Sequence, residues 1–349
     1  MLRVHFLNVG HGDCTIVKHH SGRLTMIDVN NSQDFDSETF AEELEEERRK
    51  QRNALSGGFS SGGLGGLGGF GGSSGGLLGG LAGSEAYRIL REYAAVADRA
   101  KRELTDPIDF LKRTYPHERL WRFILTHPDL DHMRGIRSLY ENIGFNNFWD
   151  TNHTKTRPDF RSEADKADWN FYQWLRSLNS PLKPRMYTRG DCYFAFGKEQ
   201  NAMLGGDNIE ILSPTPALVS ECNTAEKSND LSIVVRIHHA GQSILLPGDV
   251  EESAWDDMVR FYGYRLKSSF LKASHHGRDT GYHLNALRLI DPTMTFVSVG
   301  RKPDTDASYK YRQQTGRKVP STRYYGNIEL QINDDGSWRW FVDHNAANS

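Results

Sequence analysis

The segment Thr126–His132, which reads THPDLDH, constrains this chain most because it follows an apolar strand predicted at Leu120–Leu125. Bare polar groups in such number are costly to bury, and imidazole and carboxylate ligands suit zinc or manganese. A loop of capping aspartates and surface histidines is the alternative interpretation. The spacing of the histidines and aspartates in this segment predicts two metal positions at a strand-to-helix turn. The candidate ligands are His127, Asp129, Asp131 and His132.

Two other predicted strands also end on ligand-type residues. Ile244–Asp249 ends on Gly-Asp, and Phe270–Gly277 ends on the pair His275-His276. Taken alone, Asp249 is more typical of an N-cap for the helix predicted from Glu251, and paired histidines are more often surface residues. Because three strand ends share the pattern, we expect them to form one site.

Composition excludes several protein classes. The 349 residues carry 43 Lys+Arg against 45 Asp+Glu, a net charge of −2, which argues against a generic basic nucleic-acid coat protein but allows a local basic groove. The three cysteines form no CxxC pair, which excludes a disulfide scaffold and a cysteine-based zinc knuckle. No signal peptide and no apolar run of membrane-spanning length is visible, so we expect a cytoplasmic protein without stable membrane insertion.

Glycine is concentrated in one segment, since 15 of the 33 glycines lie between Ser56 and Ser84. We therefore predict that residues 31–105 are an inserted helical hairpin with a flexible Gly-rich loop at 56–84. The remainder, 1–30 and 106–349, alternates predicted strands and helices and is expected to form one α/β domain. Its predicted helices include one opened by Asp106-Pro107 and one at Met133–Ile143.

The motifs together resemble a known fold family. They are Phe6–Asp13, Met26–Asp28, His127–His132, Leu245–Asp249 and Lys272–Gly277. In order and context they resemble the metallo-β-lactamase fold, in its ComEC-type, competence-related branch of standalone soluble members. The resemblance implies an αββα sandwich. The superfamily pattern is HxHxDH, whereas this chain has HxDxDH with Asp129 at the second histidine, as ComEC-like members do.

The resemblance also implies a ligand set. His127 and Asp129 would hold a first ion, Asp131 and His132 a second, with Asp249 bridging and His275 or His276 completing the second position. The family's third motif normally supplies a histidine, but Ser213–Ser232 contains none. Its best replacements are Asn229 and Asp230, with His153 as an alternative, so occupancy by a single ion stays open.

The implied mechanism uses two divalent ions, Zn or Mn, that activate a shared hydroxide. Asp131 would orient the water, and the catalytic candidates are Asp131, His276 and Lys272. Asp13 and Asp28 are expected to support ligand loops through hydrogen bonds. The substrate-binding candidates are Ser232 and the cations Arg278, Lys302 and Arg323, which could equally be ordinary surface residues.

The resemblance implies a phosphodiesterase, specifically a nuclease acting on DNA. Standalone relatives look like anti-phage defence effectors paired with a protease or an NTPase, so the insertion could regulate the site through cleavage near Arg48–Arg52. The insertion could also be a tolerated hairpin without a role. Alternative functions are hydrolysis of a small ester, lactone or nucleotide-like phosphodiester, or a non-catalytic interaction module.

Overall fold

The computed structural model describes residues 1–31, 104–180, 182–191, 206–299 and 305–343. The predicted insertion and its loop at 56–84 therefore lie outside the described residues, apart from 31, 104 and 105, and so does Lys302. The strands are β1 Leu2–Phe6, β2 Thr15–Lys18, β3 Leu24–Ile27, β4 Leu120–Ile124, β5 Phe145–Trp149, β6 Ile209–Ser213, β7 Val234–His239, β8 Gln242–Leu246, β9 Phe270–Lys272, β10 Met294–Phe296, β11 Ile328–Ile332 and β12 Trp338–Val342. The helices are α1 Pro107–Thr114, α2 Ile136–Asn142, α3 Glu163–Ser177, α4 Pro216–Thr224, α5 Glu252–Tyr262, α6 Leu284–Ile290, α7 Ser308–Thr315 and α8 Thr322–Tyr325.

These strands form two mixed sheets. The first has the order β12-β11-β1-β2-β3-β4-β5, and the second has the order β10-β9-β8-β7-β6. Strands β3, β4 and β5 run parallel to one another, as do β8, β9 and β10. The carboxyl ends of each parallel trio therefore open at one edge of their sheet, where ligands bind in open α/β sheets.

Three apolar layers separate the sheets and the helices. One lies between the sheets, where Phe6 of β1 stacks on Phe296 of β10 with ring centroids 4.8 Å apart. The second joins the outer face of the first sheet to α1, α2 and α3. The third joins the outer face of the second sheet to α4, α5, α6 and α7. This packing is an αββα sandwich, which confirms the predicted fold class.

Local signals account for the helix boundaries near the site. Asp106 accepts hydrogen bonds from the amides of Ile108 and Asp109, so α1 begins at Pro107 as the Asp-Pro pair predicts. Helix α2 begins at Ile136, three residues later than predicted, because Leu130–His132 forms a 3₁₀ turn and Gly135 follows with a φ of 88°. The ligand motif therefore ends in a 3₁₀ turn before the helix. No helix of the described residues is long and apolar enough to cross a membrane.

Candidate metal centre

The predicted ligand segments converge at the carboxyl ends of strands from both sheets. The segment after β4 carries His127–His132, the one after β8 carries Asp249, and the one after β9 carries His275 and His276. Within the described ranges, three or more ligand side chains converge to within 4.8 Å at one place, formed by Asp13, His132, Asp249 and His276. All four are buried.

His132 links the two sheets. Its Nδ1 donates to Asp28 Oδ2 at 2.8 Å, and its Nε2 lies 3.2 Å from Asp249 Oδ2. Asp28 also accepts hydrogen bonds from the amide and hydroxyl of Thr126, both at 2.8 Å. A carboxylate on the outer ring nitrogen fixes the tautomer that turns Nε2 toward a metal. This is the supporting role predicted for Asp28.

Asp249 is available as a ligand because another residue caps the following helix. Its Oδ1 is buried without a hydrogen-bond partner, although buried carboxylate oxygens are normally paired. The amides of Glu251 and Ala254 donate instead to Asp230 Oδ1, at 2.8 and 3.2 Å. Asp230 is therefore engaged at the start of α5, which is a different place from the metal position predicted for it. The N-cap interpretation of Asp249 was wrong.

The paired histidines have different surroundings. His276 is buried, and its Nε2 lies 3.3 Å from Asp249 Oδ2 and 3.5 Å from Asp131 Oδ2. Neither oxygen is placed to form a hydrogen bond with this nitrogen. His275 points its Nδ1 at Glu251 and Thr280, at 3.0 and 2.7 Å. The structure thus brings His276 into the cluster and leaves His275 at its edge, with Nε2 3.9 Å from Asp249.

The donor spacing fits a divalent ion. Four donors placed about 2.1 Å from a tetrahedral zinc lie roughly 3.4 Å from one another. Nε2 of His132 and Oδ2 of Asp249 are 3.2 Å apart. Nε2 of His276 lies 3.3 Å from the same oxygen of Asp249 and 3.5 Å from Oδ2 of Asp131. Asp131 Oδ2 closes the set at 4.0 Å from His132 Nε2. We call these four residues, Asp131, His132, Asp249 and His276, the central cluster.

Asp13 also approaches His276, but its position favours a supporting role. Its Oδ2 accepts a hydrogen bond from the buried Lys272, and its Oδ1 lies 3.8 Å from Nδ1 of His276, the ring nitrogen that donates to Ser298 O. Asp13 Oδ1 also lacks a hydrogen-bond partner, but Asp131 faces the opposite ring nitrogen, the one turned toward Asp249, and is therefore the better fourth ligand. Lys272, predicted as catalytic, is 3% exposed and paired with Asp13.

Charge pairing dominates the electrostatics of the centre. Burial alone would lower the pKa of both imidazoles, but Asp249 and other carboxylates raise the pKa of His132 well above its usual value and that of His276 to about 10. Burial would raise the pKa of Asp249, but His276 and His132 hold it well below its usual range. A metal ion would replace these imidazolium protons, so its binding releases protons.

His127 and Asp129 form the other side of the centre. His127 is buried and its Nε2 lies 3.8 Å from Asp129 Oδ2. The other oxygen of Asp129 accepts a hydrogen bond from Lys155 Nζ at 2.7 Å. Lys155 was missed by the sequence analysis, since nothing in its local pattern marks it.

The remaining predicted residues lie around this frame. Ser232 Oγ accepts from the amide of Asp249 at 3.1 Å and lies 3.3 Å from His127 Nδ1, so it supports ligands from behind. His153, the alternative ligand, accepts the amide of Lys155 on Nδ1 and contacts Tyr172 through Nε2. Arg278 follows the His275–Gly277 turn and pairs by a β-bridge with Asp306, and Arg323 lies in α8, its guanidinium stacked over Tyr324.

Comparisons with known proteins give weak similarities. No family model matches the chain. The uncharacterized protein YcaI of Escherichia coli K12 is 27% identical over 119 residues, 33% of this chain and 16% of YcaI. Igni18, a metallo hydrolase from the archaeon Ignicoccus hospitalis, is 12% identical with a TM-score of 0.45, covering 98% of this chain and 100% of Igni18. CmlA, a diiron β-hydroxylase from Streptomyces venezuelae, is 10% identical with a TM-score of 0.41, covering 94% of this chain and 54% of CmlA. The fold assignment therefore stands on the sheet order and packing of the chain itself, and the central cluster provides the chemistry.

Proposed function

We propose that this chain is a metal-dependent hydrolase that cleaves phosphodiester bonds, with DNA as its substrate. The observation that carries the proposal is the central cluster, in which each of two buried imidazoles lies 3.2 to 4.0 Å from two carboxylates, a spacing that suits a shared divalent ion. A degenerate interaction module would have no need to keep Asp249 Oδ1 and His276 Nε2 buried without hydrogen bonds.

A divalent ion held there would act as a Lewis acid and lower the pKa of bound water. The chain's own residues then orient the reactants. Asp131 exposes 24% of its side chain, so its carboxylate faces both the cluster and the solvent. His11 exposes 31% of its side chain and lies with Nε2 3.8 Å from Asp131 Oδ2. We assign Asp131 to orienting the attacking water and the exposed His11 to proton transfer to the leaving group.

Cations next to the centre favour a phosphodiester over a carbonyl substrate. Lys155 and Arg157, with Glu226 as the acidic residue, line a pocket of about 320 Å³. No residue of the central cluster lines this pocket, and Lys155 connects it to the ligand motif through its contact with Asp129. Ammonium and guanidinium groups are the usual partners of phosphate oxygens. Such contacts bind the nucleic-acid backbone without reading its sequence. The proposal of DNA, and of the ComEC-type branch with its defence role, rests on these cations together with the sequence resemblance.

A second candidate is hydrolysis of a nucleotide-like small phosphodiester. The same pocket is lined by polar residues of the β5–α3 loop and of α4, including Thr154 and Asn223. Its volume falls within the range of small-molecule sites. A regulatory role for residues 31–105, and a protease or NTPase partner, stay predictions.

A panel of substrates separates these functions. Plasmid DNA, a generic aryl phosphodiester, a cyclic dinucleotide and a lactone are each incubated with protein and Mn²⁺ or Zn²⁺. We expect cleavage of the plasmid and of the aryl diester, lost in Asp131→Ala and His132→Ala. Cleavage of the cyclic dinucleotide alone would favour the second candidate. Activity on the lactone alone, or unchanged plasmid cleavage in both variants, would contradict the proposal.

A further inference from the structure

The two sides of the centre differ in the number of donors they offer a metal ion. The central cluster supplies four donor atoms at 3.2 to 4.0 Å from their neighbours. The other side offers two donor atoms, His127 Nε2 and Asp129 Oδ2, which lie 3.8 Å apart. Even with the orphaned Oδ1 of Asp249 as a bridge, the described residues give that side three protein donors at most.

The residues that could complete this side are engaged elsewhere. Asp230 accepts the two amides at the start of α5, and Ser232 Oγ accepts the amide of Asp249. The ring of His153 accepts the amide of Lys155 on Nδ1. Its Nε2 contacts the hydroxyl of Tyr172 and Nη1 of Arg176, so both ring nitrogens are occupied. Burial and the nearby Arg176 lower the pKa of His153 to about 3, which keeps this ring neutral.

A cation is nevertheless present on this side. Lys155 Nζ lies 2.7 Å from Asp129 Oδ1, with 30% of its side chain exposed against 28% for Asp129. Buried contacts hold the loop that carries Lys155, since the hydroxyl of Tyr172 contacts Nε2 of His153 and donates to Asp150 Oδ2 at 2.8 Å. The lysine is thus delivered to Asp129 by a packed framework and is not a freely rotating surface residue.

We infer that Lys155 takes the place of a second metal ion, so that the centre holds one divalent ion in the central cluster and one ammonium beside Asp129. Two cations a few ångströms apart repel each other, and the ammonium already neutralises the carboxylate that a second ion would need. Lys155 also lines the pocket in which the proposed substrate would bind. It therefore offers a phosphate oxygen the positive charge that the second ion supplies in a two-metal site. This inference rests on the central cluster and deepens the proposed function.

Metal stoichiometry tests the inference without any assay of hydrolysis. Chelator-stripped wild type, Lys155→Met, Lys155→Gln, Lys155→Arg and Lys166→Met are equilibrated with Mn²⁺, and bound ions per chain are measured by mass spectrometry. Electron paramagnetic resonance then distinguishes an isolated ion from a spin-coupled pair. Lys166 is the matched control because it is exposed and pairs with Glu163 on α3.

We expect one isolated ion in the wild type, in Lys155→Arg and in Lys166→Met. Both neutral variants at 155 should bind a second ion and show the coupled signal, because Asp129 then regains a free oxygen. Two tightly bound ions in the wild type would overturn the inference, and so would a single ion in folded Lys155→Met and Lys155→Gln. A chain that binds one ion but cleaves no phosphodiester would defeat the proposed function and leave this inference standing.

Discussion

Nε2 of His132 and Oδ2 of Asp249 lie 3.2 Å apart, although the two residues follow strands of different sheets. This contact joins the two sheets at the edge that carries the predicted metal ligands. On the His132 side the ring is held by Asp28, and on the Asp249 side the amide is held by Ser232. The cluster is therefore positioned by hydrogen bonds that involve no metal, and its members can be tested one at a time.

The two adjacent histidines should differ in their effect on metal binding. His276→Ala removes a cluster donor, so we expect loss of bound metal and of hydrolysis. His275→Ala is the matched control, since its ring contacts Glu251 and Thr280, and it should keep its metal. Metal content by mass spectrometry checks both variants. Retention of metal in His276→Ala with loss in His275→Ala would reverse the assignment.

Asp28→Asn should weaken metal binding without removing a ligand. An asparagine side chain has only one oxygen acceptor. If that oxygen accepts the amide of Thr126, the NH₂ group faces Nδ1 of His132 and cannot accept its proton, so the ring loses its orientation. Mutations of such outer partners cost about 10- to 100-fold in metal affinity. Asparagine tolerates the positive φ of 57° at this position, so the backbone should be kept. Chelator competition measures the affinity, and an unchanged value would refute the positioning role.

Asp230→Ala should lower stability and leave metal content unchanged. The substitution leaves the amides of Glu251 and Ala254 without an acceptor at the start of α5, which costs about 1–2 kcal/mol. Asp106→Ala at the start of α1 is a comparable loss of a cap remote from the cluster. Urea denaturation gives the free energy of unfolding. Loss of metal in folded Asp230→Ala would instead support the ligand role predicted from the sequence.

The metal-free protein should lose stability as the pH rises. The pKa of His276 is raised to about 10 from 6.5, so the charged ring stabilises the folded state fully below pH 6.5 and progressively less toward pH 10. His132 shifts in the same direction. Melting temperatures in chelator should therefore fall across this range, and by less in His276→Gln. Equal slopes for the two proteins would show that His276 carries no such proton.

The sequence marks candidate ligands where its information is local. The ligands that follow β4, β8 and β9 are visible as strand-end motifs, and the Asp106-Pro107 pair marks the start of α1. The choice between His275 and His276 was left open, because it depends on a left-handed turn in which both residues have positive φ, 48° and 53°. Only the packed structure shows which ring such a turn directs inward.

Other features depend on tertiary contacts between distant residues. Lys155 contacts Asp129, which lies 26 positions earlier in the chain. Asp230 accepts hydrogen bonds from backbone amides 21 and 24 positions later, so neither role has a local sequence pattern. Strand β12 was not predicted, and its residues alternate between half-buried and exposed at the edge of the first sheet. Pairing with β11 stabilises it there.

Restoration of plasmid cleavage by metal tests the central claim most directly. Purified protein is stripped with chelator and mixed with supercoiled plasmid while Mn²⁺ or Zn²⁺ is added stepwise. We predict no cleavage in chelator, recovery as the central cluster fills, and no recovery in His132→Ala. Cleavage that persists in the stripped protein, or that returns fully in His132→Ala, would contradict a metal-dependent phosphodiesterase.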